Sequence, residues 1–332
     1  MTTIGRPLSA PGPDSPWERV HEELVRTGSV LVHGTMPGWR PETGTVDLPL
    51  LLGRDWARYE KLARPGMRER FLASRLFLRY TAAAAVRTLP HLVDVAYLPG
   101  GRPYVRGLDQ IDISLSHTDE TMVVGVTRRG RIGVDVERAD RRLAHTGSEA
   151  QACTPFEKRR LDRGGESARN DTMVRLWTLK EAYSKALGQG LRFRFTEFGF
   201  ALTGTSGARL VRPDGTATAD DGWTFGTFTV GGSHVLSVAV YDAGFGELAD
   251  VSVGTTLDDG LLDALYGVSG GQASGPPGSG DPAGLFGDPD GVHPVAGAEL
   301  ADDRGEVVTD GALGEVQAAG DLGGVGSPGR EP

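Results

Sequence analysis

Between residues 111 and 137, apolar and polar positions alternate with the period of a strand. The runs IDISLSH (111–117), MVVGVTRRG (122–130) and RIGVDVE (131–137) predict three strands joined by short turns. SVLVHG (29–34) predicts another, and DVAYLPGGRPYVRG (94–107) a pair of short strands around a Gly-Gly turn. Over 53–89 the period changes to that of helices, broken at Pro65–Gly66. The second helix is long, with Phe71, Leu72, Leu76 and Phe77 on one apolar stripe. PWERVHEELVRTG (16–28) predicts a short helix. TPFEKRRLDR (154–163) predicts one with Thr154 as N-cap and Pro155 in its first turn. A stronger helical pattern fills NDTMVRLWTLKEAYSKALG (170–188), capped by Asn170 or Asp171 and ended by Gly188. Strands are predicted again within 192–204, 223–232 and 234–242.

Composition then divides the chain. Of 49 glycines, 21 fall in the last 88 residues, with scattered Pro and Asp and no lysine. Such a stretch buries too little apolar surface to offset its ordering entropy. Residues 245–332 are therefore expected to form a disordered tail, with a weak helix at 256–267 as the exception. The tail holds 16 acidic and 2 basic side chains, whereas 1–244 hold 33 basic and 28 acidic. The acidity belongs to the tail and the body is mildly basic, which suits an anionic ligand, an acidic partner or an ordinary surface alike. Residues 1–19, rich in Pro, Ser and Gly, predict a loose segment. The single cysteine, Cys153, excludes an intrachain disulfide and a Cys-x-x-Cys zinc site, and suits a reducing cytoplasm. No signal-peptide pattern opens the sequence and no apolar run reaches 18 residues, so neither export nor a membrane-spanning helix is expected.

The candidate chemistry starts with two acids inside an apolar strand. Asp135 and Glu137 share one face of 131–137, while Val134 and Val136 take the other. Two adjacent carboxylates repel, and burying both is costly without a cation. Either a hard divalent ion binds them, or they face solvent. In the later helix Trp177, Glu181 and Lys185 recur at i, i+4 and i+8 and line one face. That arrangement offers a metal ligand beside a phosphate-binding ammonium, or a surface salt bridge. Ser116 and His117 end a strand where they can meet a phosphate. Arg102 sits in the Gly-Gly turn, where a guanidinium can grip a phosphate with two N–H groups. Residues 54–79 hold eight basic and three acidic side chains.

In this order the pieces GRPYV (101–105), SLSHT (114–118), GVDVE (133–137) and WTLKEAYSKALGQGL (177–191) resemble the Sfp-type 4′-phosphopantetheinyl transferases. The spaced arginines of RERFLASRLFLR (68–79) look similar as well. The resemblance spans roughly 45–240. It implies an α+β fold, a pseudo-dimer of two similar halves, each a small antiparallel sheet with a long helix, at 20–130 and 131–244. It implies transfer of the phosphopantetheine arm of coenzyme A to a serine of an apo acyl or peptidyl carrier protein, with Mg²⁺ and release of 3′,5′-ADP, by a cytoplasmic monomer. By motif match, Asp135, Glu137 and Glu181 become the metal ligands. Glu181 and Lys185 become the catalytic pair. Lys185, Ser116 and His117 handle the diphosphate, Arg102 the nucleotide end and Arg70 the 3′-phosphate. The proton acceptor for the serine stays open among Glu181, a metal-bound hydroxide and Glu157. Gln189 and Arg102 depart from the commoner charged residue and lysine of the family. The carrier, and its fatty-acid, polyketide, peptide or siderophore pathway, is not specified, although the two-half length leans towards secondary metabolism.

Three other readings compete: an inactive carrier-binding scaffold, a Mg²⁺-dependent coenzyme A phosphohydrolase, and a nucleic-acid-binding module. The last lacks any recognisable motif and is opposed by the acidic tail.

Overall fold

The alternating runs build two sheets, and the longest helical patterns cover them. The computed structural model describes residues 3–41, 47–188, 193–219 and 222–244. The expected tail, its helix at 256–267, and Gln189 lie outside the described residues.

The first sheet has the order β1 (Leu8–Ser9), β2 (Ser29–Thr35), β6 (Thr121–Thr127), β5 (Asp112–Thr118). Its pairs are antiparallel except β1 with β2. A hairpin of β3 (Val95–Tyr97) and β4 (Pro103–Val105) stands apart. The second sheet is antiparallel throughout, in the order β7 (Gly130–Arg138), β11 (His234–Asp242), β10 (Trp223–Val230), β9 (Gly207–Val211), β8 (Gly199–Thr203). The first sheet draws its strands from before residue 130, the second from residue 130 onward, and the fold is α+β.

Each sheet carries one long helix. α4 (Pro65–Ala85) follows α1 (Glu18–Thr27), α2 (Leu48–Leu52) and α3 (Trp56–Lys61), and starts where Pro65 was expected to break the pattern. It buries Phe71, Leu72, Leu76 and Phe77, and the last three pack with Val30, Val32, Val124 and Val126 of the sheet. On the second sheet lie α5 (Gly147–Ala152), α6 (Pro155–Arg163) and the 22-residue α7 (Glu166–Leu187). Thr154 caps α6 as expected, in a reciprocal box with Glu157. Between the sheets, Leu31 and Val123 of the first meet Ile132, Val134, Val136, Leu236 and Val238 of the second in a third apolar cluster.

Three local features differ from expectation. The N-terminal segment over 1–19, expected to be loose, contains β1 and the start of α1. Ala10 donates to His33 O and accepts from Trp39 Nε1 at 3.1 Å, and Trp17 packs edge-on to Trp39. Two aromatic anchors outweigh the Pro and Gly around them. α7 starts one turn early, at Glu166 after Gly165, because Asn170 is not a cap. Its side chain instead accepts from Leu143 N and Ala144 N and donates to Arg141 O at 2.9 Å. Among the described residues of 192–204 only Gly199–Thr203 is strand, preceded by a 3-10 turn at Phe195–Glu197.

Candidate functional site

β7 places its residues on two faces as the alternation predicts. Val134 and Val136 enter the core between the sheets, and Gly133, Asp135 and Glu137 turn towards α7. The opposite face is therefore not solvent: Asp135 is 7% and Glu137 8% exposed. Gly133 explains how helix and strand come so close. A Cβ there would stand 1.9 Å from Ala182 O and 2.5 Å from Ala186 N. That contact brings Glu181 and Lys185, one residue before each alanine, over the acidic face of β7.

Ser116, Asp135 and Lys185 meet directly. Lys185 Nζ lies 2.7 Å from Asp135 Oδ1 and donates to Ser116 Oγ at 3.0 Å, while Ser116 Oγ donates to Asp135 Oδ1 at 2.9 Å. Three elements from both sheets thus share one hydrogen-bonded cluster. Glu137 turns to a different cation: it pairs with Arg141 and accepts from Thr118 Oγ1 at 3.1 Å and from Arg138 N at 2.9 Å. Arg141 also lies over the Trp177 ring, 5.5 Å from its centroid. Glu181 completes the acidic group. Burial first, and then the charge of Asp135, push its carboxyl up to about 7, against the opposing pull of Lys185 and Arg141. His117 follows Ser116 on β5, half-buried, in register with Met122.

The remaining expected residues stand elsewhere. Arg70 is exposed near the start of α4, and no hydrogen bond or ion pair joins it to this cluster among the described residues. Arg102 is spent inside the protein. It pairs with Asp112, donates to Ile132 O at 2.8 Å and donates to the carbonyl of Lys185. It ties the β3–β4 hairpin to β5, β7 and the last turn of α7, where a cation also suits the helix dipole. Glu157, a candidate proton acceptor, is 1% exposed and fully occupied. Its carboxylate accepts from Thr154 N, Phe200 N and Lys180 Nζ. A group so enclosed cannot reach a substrate proton.

Sequence reasoning missed how β5 meets β7. Asp112, Ser114 and Ser116 accept from the backbone N–H groups of Ile132, Val134 and Val136, at 2.7, 3.1 and 3.4 Å. Polar residues at every second position of an otherwise buried strand were the available signal.

Among the described residues, no group of three or more His, Cys, Asp and Glu stands close enough to hold a metal ion as the side chains lie. Asp135 and Glu137 are turned to Lys185 and Arg141 instead of to a common point. The donor chemistry nevertheless fits a hard divalent ion. All three acids offer oxygen ligands, and the carboxyl of Glu181 is raised to about 7 by burial first and then by the charge of Asp135, the second of which a dication would offset. No helix among the described residues is long and apolar enough to cross a membrane.

Fold and cluster together define a two-sheet α+β protein with a carboxylate–lysine site where the sheets meet. Residues 131–239, which hold both the paired acids and α7, match the model of the 4′-phosphopantetheinyl transferase superfamily. Over 144 residues the chain is 29% identical to a Synechocystis protein provisionally named a 4′-phosphopantetheinyl transferase, covering 43% of this chain and 58% of the relative. It is also 29% identical to a phosphopantetheinyl transferase of Thraustochytrium (52% and 64% covered) and to the 4′-phosphopantetheinyl transferase HetI of Nostoc (62% and 85% covered). The matches span about three fifths of the length of the first two relatives.

Proposed function

We propose that this chain transfers the 4′-phosphopantetheine arm of coenzyme A to a serine of an apo carrier protein. The observation that carries the reading is the Ser116–Asp135–Lys185 cluster with Glu181 poised near neutrality beside it. In this reading the halves 20–130 and 131–244 act together as a cytoplasmic monomer, on an acyl or peptidyl carrier and without nucleic acid or membrane.

Asp135, Glu137 and Glu181 would hold a Mg²⁺ ion, which supplies positive charge to the diphosphate when bound. Lys185, already between Ser116 and Asp135, gives an ammonium to a diphosphate oxygen and opposes the charge that grows on the departing nucleotide. Ser116 holds Asp135 and Lys185 in place, and His117, next to it on β5, would give a ring nitrogen to the diphosphate. The carrier serine oxygen bonds to the phosphorus next to the pantetheine, the bond to the bridging oxygen breaks, and 3′,5′-ADP leaves. Glu157, with no free oxygen, does not take the serine proton, and of the two carboxylates considered for it Glu181 is the one that remains. Arg70, on an exposed turn, is available to the 3′-phosphate. Arg102 supports the site through Lys185 O and Asp112 rather than by reaching the nucleotide.

Mass spectrometry of apo fatty-acid, polyketide and peptide carriers incubated with the protein, coenzyme A and Mg²⁺ tests this. A phosphopantetheine mass added to at least one carrier is expected. Release of 3′,5′-ADP without any carrier would favour a phosphohydrolase. Carrier binding with neither product would favour a scaffold.

A further inference from the structure

Arg141 lies outside every motif that suggested the site, yet it stands within it. Its guanidinium pairs with Glu137, covers the Trp177 ring and acts on Glu181 through its charge. The backbone beneath it is fixed, since Asn170 bonds to Arg141 O, Leu143 N and Ala144 N. A side chain on so rigid a base loses little further freedom when a ligand arrives. One of its five guanidinium N–H groups is used on a described side chain, and the side chain keeps 27% of its surface open.

The spacing says what these donors fit. Asp135 and Glu137 are two residues apart on one strand face, which separates them by roughly 7 Å. Each carries one cation: Lys185 on Asp135, Arg141 on Glu137. The site therefore presents two cations, one on each of two neighbouring acids, and both act on the carboxyl of Glu181. A ligand with two linked anionic groups matches this pair, and a guanidinium adds the planar fork that suits phosphate oxygens.

We propose that Arg141 binds the diphosphate of the coenzyme A substrate, one phosphate meeting Lys185 and the other Arg141. This rests on the functional reading above and adds a residue to it. The Trp177 ring closes one face of the guanidinium and leaves its N–H edge for the phosphate.

Equilibrium binding of coenzyme A and of dephospho-coenzyme A to the full chain, with Mg²⁺ present, tests the assignment. The two ligands share the diphosphate and differ in the 3′-phosphate. Arg141→Met is expected to weaken both by about 10- to 100-fold, the range of a charge-assisted hydrogen bond. Arg141→Gln carries the same expectation if the Met variant does not fold by circular dichroism. Unchanged affinity in a folded variant overturns the proposal. A loss confined to coenzyme A overturns it too, by assigning Arg141 to the 3′-phosphate. A wild-type chain that binds neither ligand overturns the functional reading itself, before any variant is compared.

Discussion

Gly133 of β7 lies directly against Ala182 of α7, so close that a Cβ on the glycine would stand 1.9 Å from the alanine carbonyl oxygen. The neighbouring atoms are helix backbone and cannot swing away as a flexible side chain would. Gly133→Ala should therefore push α7 off the strand. We expect a loss of about 2–3 kcal/mol of stability in urea titrations, together with loss of transfer, because Glu181 and Lys185 ride on the displaced helix. Wild-type stability in this variant would contradict the close approach.

Lys180 and Glu157 form an ion pair at 3.0 Å with 0% and 1% side-chain exposure. Lys180 Nζ also donates to Phe195 O and Phe198 O, each at 2.7 Å. Lys180→Met leaves a buried carboxylate without its cation. The expected cost is about 3–5 kcal/mol, read as a lower urea midpoint, and a shift under about 1 kcal/mol would show the pair to be dispensable.

Asp135→Ala and Glu181→Gln are expected to abolish carrier modification, by at least about 100-fold, while the circular dichroism spectrum stays that of the wild type. Robust turnover by either variant would remove the proposed site. Lys185→Ala should be impaired less completely.

The raised pKa of Glu181 sets a direction for pH. A carboxyl that titrates near 7 when folded, against 4.5 as a free side chain, keeps its proton in the folded state after the unfolded chain has lost it. Across that window the folded state binds more protons, so the contribution of Glu181 to stability falls as pH rises and levels off above about 7. Without metal, the wild type should lose stability over this range relative to Glu181→Gln. Identical pH profiles would remove Glu181 as the titrating group. Added Mg²⁺ should move the wild-type transition to lower pH.

The surplus of basic over acidic side chains in 1–244 gives a further expectation. If acidic carriers are steered to this surface, higher salt should raise the KM for the carrier more than it lowers kcat. A KM that does not respond to salt would leave the surplus without a role in docking.

Much of this site was legible in the chain because two periods carry it. A repeat of two put Asp135 and Glu137 on one face, and a repeat of four aligned Trp177, Glu181 and Lys185. The N-cap at Thr154 and the stop at Gly188 were equally readable. What stayed hidden was the partner of each charge. Nothing local says that Lys185 reaches Ser116, 69 residues away, or that Arg102 folds back onto the end of α7. Glu157 looked like any helix acid until Phe200 and Lys180 closed around it. Arg141 drew no attention in the sequence because the residues that fix it, Asn170 and Trp177, come from a distant helix.

The seam between β5 and β7 is fastened by side chains, with Asp112, Ser114 and Ser116 standing in for the carbonyls of a neighbouring strand. Each sheet keeps its full set of backbone rungs on its own side of that seam. A wedge driven between the two would undo these fasteners and lay open the apolar layer of Leu31 and Val123 against Ile132, Val134 and Val136, yet leave the fabric of both sheets whole.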